Sequence, residues 1–469
     1  MESHAAARPS VWAPEWRGLT VGLLVTVTLV ASEALAVATV LPLVARDLHG
    51  VSLYGWVISA FFLGTLVGLV VGGEEVDRRG PATPFAVALV VFAAGLLIAG
   101  LAPAMWVVVA ARGLQGLGAG AVPAIAYASI GREIPDELRP RVFALLSTAW
   151  VVPGIVGPGL AAAVAAAFGW RVVFLGLLPF VAVAGIAPYR ALRRIGPGGA
   201  SETGRRIVPA LGLAAAAALV LEALALRSLL SLPLLAAAGV IGARPLRILF
   251  PPGTVRARAG LPATVLVRGL LTFAFFGADT FVPLAVVSVR HSTTALAGAA
   301  LTSATLLWTA GAWVQERGVI ARGARFFVRR GLAILVVGIG TTGAVLLPGV
   351  PPAVAVATWG IAGFGIGLAY SPLTLTTLRE AEPGQEGSAS ASLTLAENLG
   401  VALGAGLGGA AVAAAAAAGR TAAGIAVAYG IAAAAAVVGA VAAARVPGQA
   451  RFLGSAHLSL SSVDDDRDR

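Results

Sequence analysis

Ionisable residues stand inside long apolar runs of the chain, among them Glu33, Arg112, Asp279 and Glu397, with Glu222 and Arg268 besides. A charged side chain in hydrocarbon is costly unless it is paired or faces water, so each of them asks for a partner or a cavity. The chemistry such carboxylates can do is proton exchange. Burial favours the neutral acid and a neighbouring arginine favours the carboxylate, so a contact made in one state and broken in another carries a proton. Depth makes one pairing possible. Glu33 lies about 15 residues, or ~22 Å, from one end of the first run, and Arg112 about eight residues, or ~12 Å, from the other end of the fourth. In a core about 30 Å thick these levels differ by a few ångströms. Glu33 is therefore the leading proton-binding candidate, with Asp279, at similar depth in the ninth run, the second. Glu397 adjoins Asn398 in the thirteenth run, and both are candidates for a cavity wall.

Other chemistries are excluded. The chain has no Cys, and all of its 33 basic side chains are Arg. Disulfides and thiolate ligands are therefore ruled out. So are a phosphate-gripping P-loop lysine and a Schiff base. His4, His49, His291 and His457 fall in predicted loops or tails, so no intramembrane haem or zinc, no metal and no cofactor is expected. A membrane-embedded enzyme would show clustered His, paired Asp or an activated Ser; a sensor would need a soluble signalling domain. Neither pattern is present in the sequence, and no enzyme activity is expected.

The elements that position these residues follow from composition. Of 469 residues 58% are hydrophobic and only 12% charged, with a mean hydropathy of +0.91. Ordinary soluble domains carry about 25% charged residues, so lipid must cover much of this surface. The net charge of +11 would suit nucleic acid if the arginines formed one face. They fall instead in short bursts between apolar spans, the pattern of membrane topology. Spans long enough to cross a bilayer number about fourteen, at roughly 18–45, 53–73, 83–101, 104–125, 141–165, 169–188, 206–226, 228–243, 263–289, 294–314, 328–347, 353–376, 388–416 and 420–444. With both ends cytoplasmic, 26 arginines fall on the inside, five outside (Arg46, Arg171, Arg227, Arg290 and Arg420), and the remaining two, Arg112 and Arg268, within spans. The positive-inside rule fixes that orientation. The seventh and eighth spans are the weakest; laid in the interface as a hairpin, they would reduce the count to twelve.

A repeat relates the two halves. Val40-Leu41-Pro42-Leu43 closes the first span and Phe281-Val282-Pro283-Leu284 the ninth; Gly73 to Arg78 and Gly311 to Arg317 close the second and tenth. Two related halves suit a transporter that rocks one against the other around a midplane site.

Four motifs stand in register with these spans. They are Gly73-x-x-x-Asp77-Arg78-Arg79-Gly80 after the second, Arg112-x-x-Gln115-Gly116-x-Gly118 in the fourth, Gly157-Pro158-Gly159 in the fifth and Gly169-Trp170-Arg171-x-x-Phe174 opening the sixth. In this order the set resembles the major facilitator superfamily, and fourteen spans resemble its branch of drug:proton antiporters. The resemblance implies an all-α integral membrane protein of the major facilitator fold. Two six-helix bundles, 18–188 and 263–445, would flank a cytoplasmic linker, 189–262, holding two additional helices. Segments 1–17 and 446–469 would be the cytoplasmic ends. By the same resemblance Arg112 and Gln115 line the central cavity, and Gly73, Asp77, Arg78 and Gly80 form the cytoplasmic gate. Gly73 would let a neighbouring helix close in, and Asp77 with Arg78 would latch the halves. Gly157 and Pro158 are the core of a helix-packing motif associated with antiport. The sequence departs from the family pattern at Glu74 and Glu75, and at Ala144, Pro153, Ala161 and Ala162.

The expected function is proton-coupled export of small amphipathic or drug-like molecules from a multi-pass protein of the cell membrane. The expected partners are a small-molecule substrate, protons and membrane lipids, with no nucleic acid and a monomeric state. An uptake symporter or a lipid or glycolipid exporter of the same fold is the alternative.

Overall fold

The computed structural model describes residues 11–135, 137–149, 151–197, 206–226 and 228–448. Among them every regular element is helical, which is the way a single chain buried in lipid satisfies its own backbone. Fourteen helices are long and apolar enough to cross a membrane. The first six are α1 (Pro14–Asp47), α2 (Val51–Arg79), α3 (Ala82–Gly100), α4 (Met105–Glu133), α5 (Val151–Phe168) and α6 (Trp170–Leu192). Then come α7 (Ile207–Ala225) and α8 (Ser231–Leu249). The last six are α9 (Leu261–Val289), α10 (Thr294–Arg322), α11 (Ala324–Leu346), α12 (Val354–Glu380), α13 (Glu386–Ala416) and α14 (Thr421–Arg445). The N-terminal ten residues, Arg227 and the tail from residue 449, including Ser461–Arg469, lie outside the described residues.

Several helices run past their expected ends, as α4 to Glu133 and α10 to Arg322 do, and two further differences have specific causes. The fifth span, expected unbroken over 141–165, is a short helix Arg139–Thr148 followed by α5. Pro153 lacks the N–H that would bond the Ala149 carbonyl, and its ring crowds that turn. The eighth span, expected over 228–243, runs to Leu249. Its apolar run ends where Arg244 and Arg247 begin, but the helix continues through both. The seventh and eighth spans are 19 residues each, long enough to cross.

Helices α1–α6 pack with one another, α9–α14 do likewise, and the α7–α8 hairpin lies against α2 and α13. The two bundles meet along α2–α13 and α5–α10. These contacts concentrate at the end of the molecule where the loops carry few arginines. There the Ser59 hydroxyl donates to the Ala402 carbonyl at 2.7 Å. Gly55 and Gly409 also meet there with no room for a side chain. At the arginine-rich end the bundles stand apart.

The sequence repeat has a geometric counterpart. His49 after α1 and His291 after α9 both take left-handed backbone, at φ 50° and 51°. Gly80 after α2 and Gly323 after α10 sit at φ 74° and 76°, a conformation that glycine adopts without strain. Pro42 and His49 are seven residues apart, Pro283 and His291 eight. The structure absorbs the extra residue in a π-helical turn, Ala285–Val289, the usual result of inserting one residue into a helix.

Candidate substrate cavity

A cavity of about 3470 Å³ opens between the bundles toward the arginine-rich end. Its inner wall is aromatic. Phe61 and Phe62 come from α2, Phe275 and Phe276 from α9, Trp308 from α10 and Tyr370 from α12. These rings touch in sequence: Phe275 to Trp308 at 5.5 Å between centroids, and Trp308 to Tyr370 at 5.1 Å. Trp359 stacks behind Phe275 at 5.2 Å. Such faces bind lipophilic and cationic groups. Phe273 and Phe281, which share the ninth span with Phe275 and Phe276, are absent from this wall.

Each bundle holds one Arg–Glu pair, fully buried in the first and open to the cavity at Glu397 in the second. Arg112 on α4 meets Glu33 on α1 in a salt bridge, with both side chains essentially inaccessible. The Arg112 guanidinium also donates to Gln115 Oε1 at 2.7 Å and lies 4.1 Å from the Phe61 ring centre. The structure thus brings Glu33, Arg112 and Gln115 together; Arg112 reaches the cavity wall and Glu33 stays behind it. In the other bundle Arg268 on α9 donates to Glu397 Oε2 on α13 at 3.0 Å and to the Tyr370 carbonyl at 2.7 Å. The Tyr370 hydroxyl donates to Glu397 at 2.9 Å, and the Arg268 guanidinium lies 3.2 Å from the Tyr370 ring centre. Glu397 and Asn398 both line the cavity. Arg268 and Tyr370 were not among the expected site residues.

Asp279 is placed differently. It is half-buried at the cavity wall, and its Oδ1 accepts a hydrogen bond from the Trp359 indole at 2.7 Å. Among the described residues it makes no salt bridge. The regular helix stops at this residue. Pro283, four positions on, lacks the N–H that would bond the Asp279 carbonyl. A helix interrupted beside a midplane site is a recurring feature of transporters.

The expected gate residues make their ion pairs within their own half in this structure. Asp77 accepts from Arg132 on α4 at 2.6 Å, within its own bundle. Arg78 pairs with Glu75 one helical turn back at 3.0 Å. Gly73 lines the cavity mouth, and a side chain there would meet nothing within 4 Å. The glycine of this helix that lets α4 approach near the same level is Gly72, where a Cβ would come 2.7 Å from the Ala121 Cα. The reason is rotational: residue 73 is turned about 100° away from the α4 face. Gly80 caps α2. In α5, Pro158 packs against Gly298 of α10, whereas Gly157 has only ordinary contact with Leu35 at 3.9 Å. The Trp170–Arg171 pair clamps the end of α1, since both donate to Asp47, at 3.0 and 2.8 Å.

Two helical bundles around a central cavity, closed at one end and open at the other, define a membrane transporter. The comparisons agree. The pattern of the Major Facilitator Superfamily matches residues 22–405, and the chain belongs to that superfamily. It is similar to a probable multidrug-efflux transporter of Mycobacterium tuberculosis, 29% identical over 408 residues, covering 82% of this chain and 86% of the relative. It is also similar to multidrug resistance protein 3 of Bacillus subtilis, 26% identical over 165 residues, which are 35% of this chain and 32% of that one. Among solved structures, an auto-inhibited POT family peptide transporter superposes with a TM-score of 0.65 at 18% identity, covering 90% of this chain and 97% of that one. The xylose transporter of E. coli does so at 0.61 and 14% identity, covering 91% and 96%. At these identities the solved structures share the fold.

Proposed function

We propose that this transporter exports small lipophilic cations in exchange for protons, with Asp279 as the carboxylate that both compete for. One observation carries the reading. Glu33 is matched by Arg112 and Glu397 by Arg268, which leaves Asp279 as the carboxylate at the level of the aromatic wall with no arginine beside it among the described residues. A cation among aromatic faces and a proton on Asp279 would each neutralise the same charge, so one leaves as the other arrives. The named multidrug-efflux relatives are consistent with this. In the arrangement we propose, the arginine-rich end and both termini face the cytoplasm. Residues 18–188 and 263–445 rock as units about the 189–262 segment. The Glu33–Arg112 pair holds α1 against α4, and Gly73, Asp77, Arg78 and Gly80 meet the opposite half when the cavity closes on that side.

The test is substrate-driven proton release in proteoliposomes, with tetraphenylphosphonium as the probe. Asp279→Asn keeps an acceptor for the Trp359 indole but loses the charge, and is expected to abolish release. Glu33→Gln should slow transport while leaving proton release coupled to it. Coupled release that persists in Asp279→Asn would move the role elsewhere. Lipid export is the second reading, favoured because the cavity wall continues through Leu69 and Val70 of α2 to Val240 and Ile241 of α8. A fluorescent lipid in the same assay separates the two.

A further inference from the structure

Two buried tyrosines lie toward the closed, arginine-poor end, one at the seam between the bundles and one in α14. Tyr54, near the start of α2, is 0% exposed, and Tyr429, in α14, is 4% exposed. Neither hydroxyl has a hydrogen-bond partner among the described residues. Buried hydroxyls in native proteins are almost always satisfied, by protein or by ordered water, so two orphans in one place need an explanation.

Their neighbours supply it. The Tyr54 ring lies 5.9 Å from that of Phe281, two residues beyond Asp279. Phe281 and Ala428, the residue before Tyr429, both pack against Gly408. Tyr54 and Tyr429 lie within electrostatic reach of Asp279, and Tyr54 within reach of Tyr429. The other charged groups of the interior, Glu33, Arg112, Arg268 and Glu397, are committed to one another. Two unpartnered hydroxyls, and a carboxylate hydrogen-bonded through one oxygen among the described residues, could supply the two to four polar partners a buried water requires.

We propose that Tyr54, Tyr429 and Asp279 enclose a site for one or two water molecules at the closed end of the seam, and that Asp279 receives its proton through it. The inference rests on the reading of Asp279 as the coupling carboxylate. The seam passes through the site: Tyr54 belongs to the α1–α6 bundle, Asp279 and Tyr429 to the other. While this end is closed, Tyr54 and Phe281 seal the site from the bulk on the arginine-poor side, so no proton leaks between that side and the cavity. When the bundles part there, Tyr54 withdraws and outside water joins the site. A proton then passes from water to the Asp279 carboxylate, the deficit is filled from bulk water, and both tyrosines remain neutral throughout.

Tyr54→Phe and Tyr429→Phe remove only the hydroxyls and keep the rings. In proteoliposomes, the double variant should exchange tetraphenylphosphonium across the membrane within about 2-fold of wild type. Its substrate-driven proton release should slow by at least about 10-fold. Unchanged proton release overturns the proposal, and so does an equal slowing of exchange and release, which would mark a packing role. Hydroxyl-radical labelling read by mass spectrometry tests the water directly. Tyr54 and Tyr429 should label well above the buried Phe92, and labelling at the Phe92 level overturns the site whatever the fluxes. If the wild type moves substrate without protons, the antiport reading fails on its own, and labelling still decides the water site.

Discussion

Arg112 shows how much one buried residue commits to. It is 1% exposed, is held by Glu33 and Gln115 and lies against Phe61. Removing one member of a buried ion pair strands the other charge and costs about 3–5 kcal/mol, whereas replacing both by apolar groups is often neutral. Arg112→Met should therefore lower the unfolding temperature in detergent clearly, and Arg112→Met combined with Glu33→Leu should recover most of the loss. A double-variant loss equal to the sum of the Arg112→Met and Glu33→Leu losses would mean that the two residues do not depend on each other. This pair was legible in the sequence because both residues interrupt apolar runs at matching depth. The same measure applied to Arg268 and Glu397, about seven and eleven residues from the same end of α9 and α13, would have brought them to within ~6 Å in height. The Asp77–Arg132 pair had no such signal, since it depends on α4 continuing past its apolar stretch to Glu133.

At the scale of the element, hydropathy located the helices well, because in lipid an apolar run of sufficient length has little choice but to be one. It located their ends and faces poorly. Several helices extend by a turn or more into polar residues at the arginine-rich end, as α4 and α10 do, and hydropathy is silent about a helix that continues in water. The proline break before α5 is similarly invisible to an average over apolar residues. Facing is the subtler loss. Gly72 and Gly73 are adjacent and both small, yet one touches α4 and the other opens onto the cavity mouth. Overpacking a close helix contact costs about 1–3 kcal/mol. A Gly to Ala change in an open helix position gains about 0.5–1 kcal/mol. Gly72→Val is expected to reduce the yield of monodisperse protein, and Gly73→Ala to leave it unchanged or improved, as read by size-exclusion chromatography. Comparable damage from both would place residue 73 in the α2–α4 contact after all.

For the whole molecule, the distribution of close contacts is the informative quantity. Within the bundles, glycines and alanines let helices approach along their length. Between the bundles, close approach runs from the arginine-poor end, at Gly55–Gly409 and Gly298–Pro158, to mid-depth, at Gly154–Thr305, while the other end encloses the cavity. A molecule built this way is held in one of two states by a few contacts that must break together, and rigid bundles that pivot about a central site need little internal change to do so. Because the chain has no cysteine, this can be tested without first removing any. A Cβ at residue 154 would lie 3.1 Å from that of Thr305, a little short of the ~3.8 Å typical of a disulfide and within reach of a small adjustment. Gly154→Cys with Thr305→Cys should therefore cross-link under oxidation, join α5 to α10 and fix the molecule closed at the arginine-poor end. Transport in proteoliposomes should stop on oxidation and return on reduction, whereas either single variant should be insensitive to both. A cross-linked protein that still transports at the reduced rate would show that α5 and α10 move as one body, and that the bundles do not part along this seam.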